Sequence, residues 1–403
     1  MKTVAIISEY NPFHSGHFYQ IESIRKEFGE DTRIVAIMSG NYTQRGQIAM
    51  MDKSARAKMA VLCGVNLVLE LPFPYSLGSA EIFARAGVFI ADRIGGIDLL
   101  SFGSECGDLS PLEAVADKMM ERDFLDQMEK IAKEHPALGH AELLEETLAL
   151  FFDREEAKKI LRPNNILALE YLKALKRLGS KIKPHTVFRR GADYNAMQIE
   201  EKKAHQSASA IREKITKNDI SALDYIPKEA KEVVLDQIQS GAAPCREEAL
   251  SAAVLSYFRL NSPSDSCHYQ DAKGGLYNRL ITMSYEATDI SSLAALTETK
   301  KFTNARIRRA IWYSFFGVTS SDVKSAPAFT RVLALDKEGQ AILHAAKTTA
   351  KIPIVTKPAE ALPSKKGARC KALSDRADAV FQLSKPEKTS GSYAMRTSPF
   401  FKK

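Results

Sequence analysis

The chain has 403 residues, 45% hydrophobic and 26% charged, a balance that fits a globular protein with a sizeable core and excludes a disordered or fibrous one. No apolar run approaches the ~20 residues of a membrane span, and the N-terminus opens on a strand-like run instead of a secretion signal. Five scattered cysteines, 57 Lys and Arg against 49 Asp and Glu, and a net charge of +8 predict a cytoplasmic protein without disulfides or a zinc site, compatible with nucleic acid as a partner.

The run Val4-Ala5-Ile6-Ile7 predicts a first strand over 4–8. It breaks into Glu9-Tyr10-Asn11-Pro12-Phe13-His14-Ser15-Gly16-His17 ahead of a helix over 18–28. Asn11-Pro12 reads as a turn, because Pro fixes φ and biases its predecessor away from helix. A helix N-terminus carries unpaired N–H groups and partial positive charge, so it favours a phosphate. Gly16 allows close backbone approach, and His14 and His17 can donate hydrogen bonds to a phosphorus centre gaining charge. This combination points to attack on the α-phosphate of a nucleoside triphosphate, with pyrophosphate leaving. Two histidines near a turn are also common as surface polar groups. Their place at the end of a βα unit's first strand, where open α/β sheets bind ligands, favours the functional reading.

The alternation continues. A strand over 33–38 runs into Ser39-Gly40-Asn41-Tyr42-Thr43-Gln44-Arg45-Gly46, followed by a helix over 52–63 with Asp52 as N-cap. A strand over 65–71, a helix over 79–90 and a strand over 99–102 ending in Gly103-Ser104-Glu105 complete the unit. Small and polar residues thus gather at one sheet edge, the expected nucleotide crevice. Residues 110–178 read as helical, with Arg162-Pro163-Asn164-Asn165 opening the last helix, and 181–189 resembles a strand. Ser207-Ala208-Ser209-Ala210-Ile211-Arg212 starts a further helix. Its early N–H groups and Arg212 can clamp a triphosphate, and a capped helix with a surface arginine is the plainer alternative. Beyond 225 the pattern turns helical, with Lys300, Lys301, Arg306, Arg308 and Arg309 interleaved with aromatics and a strand-like run at 331–335. The predicted fold is α/β: a Rossmann-like parallel-sheet nucleotidyltransferase domain over 1–220, then a mainly helical, basic domain over 221–403.

The segments 10–17, 39–46, Glu70-Leu71-Pro72-Phe73 and 207–212 together resemble the bacterial tRNA(Met) cytidine acetate ligase family, within the HxGH nucleotidyltransferase superfamily. The resemblance covers essentially the whole chain. It implies that acetate attacks the α-phosphate of ATP to give acetyl-adenylate, and that the acetyl group then passes to the wobble cytidine of elongator tRNA(Met), giving N4-acetylcytidine. Free acetate, not acetyl-CoA, would be the donor. A carboxylate is already anionic at neutral pH, so the protein must position it and neutralise charge. The resemblance assigns His14 and His17 to the α- and β-phosphates and Arg212 to the leaving pyrophosphate. The main ATP-binding loop would be Ile7, Ser8, Glu9, Tyr10, Asn11, Pro12, Phe13, His14, Ser15, Gly16, His17, Phe18, Tyr19 and Gln20. Gly103 would lie under adenosine, and Asn165, Arg189, Arg190, Ser207 and Ser209 would add contacts, with the choices Asn164 or Asn165 and Arg189 or Arg190 open.

Asn41, Gln44, Arg45 and Lys53 are expected around acetate or the acceptor base, and Lys300, Lys301, Arg306, Arg308 and Arg309 against tRNA phosphates. Mg²⁺ is expected on the ATP phosphates, without a dedicated protein cage. No stable protein partner is implied. Two alternatives remain: a nucleotidyltransferase acting on a small phosphate-ester metabolite, which has no use for the basic half, and a non-catalytic nucleotide-binding module, which has none for the intact histidines.

Overall fold

The computed structural model describes residues 1–136, 138–189, 207–263 and 268–403. Its centre is one twisted sheet. The strands are β1 (Thr3–Ser8), β2 (Arg33–Ser39), β3 (Leu67–Leu71), β4 (Leu99–Ser104), β5 (Lys183–Phe188), β6 (Thr330–Leu335), β7 (Ile354–Val355) and β8 (Phe400–Phe401), in the order β5-β4-β1-β2-β3-β6-β7 with β8 on β6. Strands β1 to β5 are mutually parallel. The chain steps outward from β1 to β3 and returns to lay β4 on the other side of β1, so the strand order reverses between β1 and β4. That switch point is where an open α/β sheet leaves a crevice at its carboxyl edge.

Both faces of the sheet are covered, which explains the near-continuous apolar strands. On β2, Ile34, Ala36 and Met38 pack into one core with Val4 and Ile6. Val35 and Ile37 point the other way and join Ala5, Leu67 and Leu69 in a second core. Helices Ser15–Phe28 and Lys53–Leu62 flank the β1–β3 region, and Ala80–Ile94 and Pro163–Leu178 pack on each other beside β4.

The boundaries foreseen from local signals are close. Asp52 caps its helix by accepting the Ser54 N–H at 3.0 Å, and Ser207 caps Ala208–Thr216 by accepting the Ala210 N–H at 3.2 Å. The chain beyond residue 220 is mainly helical, yet it also supplies β6 to β8 to the same sheet. Strand β6 runs antiparallel to β3, with Leu67 opposite Leu335, and so covers an edge that would otherwise expose unpaired backbone. Helix Asn304–Phe315 then packs under the loop after β2: Trp312 Nε1 donates to the Gly46 carbonyl at 3.1 Å. Gly46 sits at φ +76°, where an added Cβ would lie 2.5 Å from Arg308 Cβ, so that approach requires glycine. Among the described residues no helix is long and apolar enough to cross a membrane.

Candidate active site

The carboxyl end of β1 turns at Tyr10, φ +46°, and enters the helix Ser15–Phe28 with His14 as its N-cap in extended conformation. Two histidines replace the usual Ser/Thr and Glu of a capping box. The Gly16 N–H donates to His14 Nδ1 at 3.0 Å, and the His14 N–H donates to His17 Nδ1 at 3.3 Å. A ring nitrogen that accepts a backbone N–H carries no proton, so both imidazoles are held as the Nε2–H tautomer. The rings lie 3.9 Å apart. Gly16 is required beneath them, since a Cβ there would come 2.9 Å from His14 Cε1. Tyr10 and Phe13 wall the other side of His17, at 4.9 and 5.5 Å between ring centres. Burial, then the charges of His14 and Arg189, holds His17 well below the usual histidine range. It is a neutral donor at physiological pH.

Three arginines serve this turn in different ways. Arg56, wholly buried, donates to the carbonyls of Glu9 at 2.6 Å, Ser39 at 3.2 Å, Gly40 at 2.5 Å and Met51 at 3.0 Å. It ties the ends of β1 and β2 together, and burial brings its guanidinium down to about 10. Arg212 donates to the Asn11 carbonyl at 2.8 Å and to Ser209 Oγ at 3.1 Å, so the helix capped by Ser207 docks on the histidine turn. Burial depresses its pKa, Glu9 opposes that, and the nearby cation Arg45 adds to it. Arg189 lies over Gly103, where a Cβ would fall 2.6 Å from Arg189 Cγ, and its charge reaches His17. Gly103 thus keeps open the space that Arg189 crosses.

Glu105 organises the β4 edge. Its carboxylate accepts the N–H of Asn164 at 3.2 Å and of Asn165 at 2.9 Å, the favourable place for a negative charge at the start of Pro163–Leu178. The two asparagines divide clearly. Asn165 is fully buried; its Oδ1 accepts the Glu105 N–H at 2.8 Å and its Nδ2 donates to the Lys159 carbonyl at 3.2 Å. Asn164 is part-exposed, and its Oδ1 accepts from Arg189 Nη1.

The structure places the remaining residues as follows. Ile7 and Ser8 close β1, and the Ile7 side chain packs where Gly87 leaves room. The Glu9 carboxylate accepts the Gln44 N–H at 2.9 Å. Asn11 Oδ1 accepts the Met50 N–H at 2.9 Å, and Asn11-Pro12 is a cis peptide. Ser15, Phe18, Tyr19 and Gln20 lie on the first turns of the histidine helix. Arg190 lies outside the described residues.

Of the four residues expected around acetate or the base, Arg45 is exposed and Gln44 part-exposed on their loop, whereas Asn41 and Lys53 lie beneath it. Lys53 Nζ pairs with Glu70 at 2.6 Å and Asp378 at 2.5 Å, and Asn41 Nδ2 donates to Asp378 at 3.0 Å. Arg331, from β6, joins the same network at 3.6 Å from Asp378 and 3.0 Å from Asp375. Burial and Glu70 push Asp378 up to about 6, against Lys53 and Arg331.

The basic segment also divides. Arg308 pairs with Glu247 and Arg309 with Asp271, each at 2.5 Å and mostly buried, and Arg306 donates to the carbonyls of Asp271 and Lys273. Lys300 and Lys301 are exposed.

The sequence matches the HIGH Nucleotidyl Transferase family over residues 1–395. It is 35% identical over 363 residues to the tRNA(Met) cytidine acetate ligase of Thermoanaerobacter sp. (strain X514), covering 89% of both chains. It is 33% identical over 372 residues to that of Acetivibrio thermocellus, covering 89% of this chain and 88% of the relative. Among solved structures, Thermotoga maritima TmcAL bound with alpha-thio ATP superposes with a TM-score of 0.90 at 28% identity, over 100% of this chain and 99% of that one. Its apo form superposes equally well, at 27% identity. Two histidines capping one helix at the sheet's switch point thus sit in a chain related along nearly its whole length to these enzymes, and the chain belongs to the tRNA(Met) cytidine acetate ligase family of HIGH nucleotidyl transferases.

Proposed function

We propose that the protein is an ATP-dependent acetate ligase acting on the wobble cytidine of elongator tRNA(Met). The observation that carries this reading is the pair of Nε2–H imidazoles at a helix N-terminus, flanked by Arg189 and Arg212, in a chain of this family. An acetate oxygen bonds to the α-phosphorus of ATP as the bond to the β-phosphate oxygen breaks, giving acetyl-adenylate and pyrophosphate. The cytidine amine nitrogen then bonds to the acetyl carbon, the carbon–oxygen bond to AMP breaks, and the amine loses a proton.

In the first step two anions must meet, so the site has to supply donors in place of a general base. His14 and His17 donate from Nε2 to the α- and β-phosphates, and the first turn of their helix adds backbone N–H groups and dipole. Neutral donors suit this task, because their proton stays in place through the reaction and they stabilise charge that develops only in the transition state. Arg212 receives the leaving pyrophosphate with Ser207 and Ser209 beside it, and Arg189 with Asn164 borders the nucleotide above Gly103. Mg²⁺ travelling with ATP would be held chiefly by the phosphates, where it neutralises charge. Arg45, exposed on the loop fastened to Glu9 through Gln44, faces the acetate or the incoming base. Lys300 and Lys301 are the free cations of the basic segment and contact tRNA phosphates.

Acetate-dependent exchange of pyrophosphate into ATP, without tRNA, tests the first step. Exchange that needs acetate supports the reading. Exchange that ignores acetate and responds to a phosphate-ester metabolite would replace it with the small-molecule alternative.

A further inference from the structure

A polar chain runs under the histidine helix where a doubly covered parallel sheet ordinarily places Val, Ile or Leu. Ser101 on β4 and His185 on β5 are paired across the two strands, Ser101 wholly buried and His185 nearly so. His185 Nε2 lies 3.1 Å from Glu27 Oε2, near the C-terminal end of the helix Ser15–Phe28. His185 Nδ1 lies 3.0 Å from Ser101 Oγ. Gln20, one turn beyond His17, donates from Nε2 to the Ser101 carbonyl at 3.3 Å and reaches Ser101 Oγ at 3.5 Å. A carboxylate only accepts, which fixes the direction of the chain. His185 Nε2–H donates to Glu27, the Ser101 hydroxyl donates to His185 Nδ1, and the Gln20 amide donates to Ser101.

The order Ser–His–Glu is that of an acyl-transfer triad, but the burial of Ser101 shuts it off from any substrate. The chain's geometry relative to the nucleotide crevice gives it a different use. Ser101 and Gly103 share one face of β4, and His185 and Arg189 lie on the matching face of β5 and its continuation. Gln20 and Glu27, seven residues apart, lie on one stripe of the helix with His17. The chain therefore ties that stripe, at both ends, to the two strands whose carboxyl ends carry Gly103 and Arg189. Apolar packing would bury the same surface but would let the helix slide along the sheet. Directional hydrogen bonds between fully satisfied buried groups hold it at one height and register.

We propose that Ser101 and His185, with Glu27 as the outer anchor, are positioning residues that fix the distance between the His14–His17 pair and Arg189 and so preorganise the triphosphate site. The proposal rests on the reading that ATP binds at this helix. A misplacement on the order of 1 Å is enough to cost catalysis heavily, so the chain matters without touching substrate.

The test measures the ATP dissociation constant and acetate-dependent exchange for wild type, His185→Phe, Glu27→Ala and Glu27→Gln, with thermal unfolding alongside. His185→Phe keeps a ring against Phe28, 5.0 Å away between ring centres, but loses both hydrogen bonds. It is expected to weaken ATP binding about tenfold while the KM for acetate stays within about twofold. Glu27→Ala should weaken ATP binding about threefold, and Glu27→Gln, which can still accept from His185, should restore it. If His185→Phe does not fold, the exposed Glu27 pair decides the matter. ATP affinity unchanged in the folded variants, even with a lowered melting temperature, would overturn the positioning role. Failure of the wild type itself to bind ATP would overturn the functional reading instead.

Discussion

The backbone N–H of His14 donates to His17 Nδ1 at 3.3 Å, so the residue that caps the helix also fixes the tautomer of the histidine one turn inside it. With His14 Nδ1 occupied by the Gly16 N–H, both rings are committed as Nε2–H donors before any ligand arrives. That is preorganisation in the strict sense: no proton has to be placed when charge develops on the phosphate.

The first prediction is catalytic. His17→Ala should lower acetate-dependent exchange by about 10²–10³-fold, the usual loss for one preorganised donor. Circular dichroism should show the fold unchanged. Exchange within tenfold of wild type would remove His17 from the transition state.

The second concerns pH. Burial, with His14 and Arg189 next, holds His17 well below its usual range, whereas in the unfolded chain it titrates near ~6.5. Below that pH the unfolded state binds the extra proton and the folded state does not. The stability that neutral His17 contributes is therefore complete above pH ~6.5 and is lost as pH falls, at up to about 1.4 kcal/mol per pH unit. Denaturant unfolding of wild type and His17→Gln across this range should show the wild type losing stability faster on acidification. Parallel curves would mean that His17 takes up its proton in the folded protein.

The third separates the two asparagines. Asn164→Ala should raise the KM for ATP several-fold and leave the melting temperature within a few degrees, because its side chain meets Arg189 at a part-exposed position. Asn165→Ala strands the buried Lys159 carbonyl and the Glu105 N–H, and should cost about 1–3 kcal/mol of stability. The reverse pattern would exchange their roles.

The fourth concerns the basic segment. Arg309→Met leaves Asp271 buried and unpaired and should destabilise the protein by about 3 kcal/mol, most of it recovered in Arg309→Met with Asp271→Leu. Lys300→Ala with Lys301→Ala should leave stability within about 0.5 kcal/mol. It should weaken tRNA binding and flatten its salt dependence by roughly one unit of slope. Binding and slope unchanged in the double lysine variant would place the tRNA elsewhere.

These contrasts show where the sequence was legible. Asp52, Ser207 and the β1 turn were readable because caps, prolines and apolar runs act over a few residues. The histidine pair was readable for the same reason, its partners lying two and three positions away. Arg56, in contrast, binds carbonyls up to 47 positions off, and nothing near it in the chain distinguishes it from a solvated helix arginine. Lys53 meets Asp378 across 325 positions, so a lysine following a polar loop looked like a substrate contact and is instead the centre of a buried network. Arg308 and Arg309 mislead in the same way, since a run of cations does not display its distant carboxylates. The strand at 331–335 was visible, but its addition to the β3 edge is a tertiary fact. Ser101 and His185 carry no local signal at all; only their pairing across β4 and β5 brings them under the helix.

The measurement that bears most directly on the whole account uses purified protein, ATP, labelled acetate and elongator tRNA(Met), with no acetyl-CoA, followed by mass spectrometry of the nucleosides. The account predicts labelled N4-acetylcytidine at the wobble position and one AMP and one pyrophosphate for each acetyl group transferred. Pyrophosphate release with no acetylated cytidine, in a preparation that binds the tRNA, would contradict it.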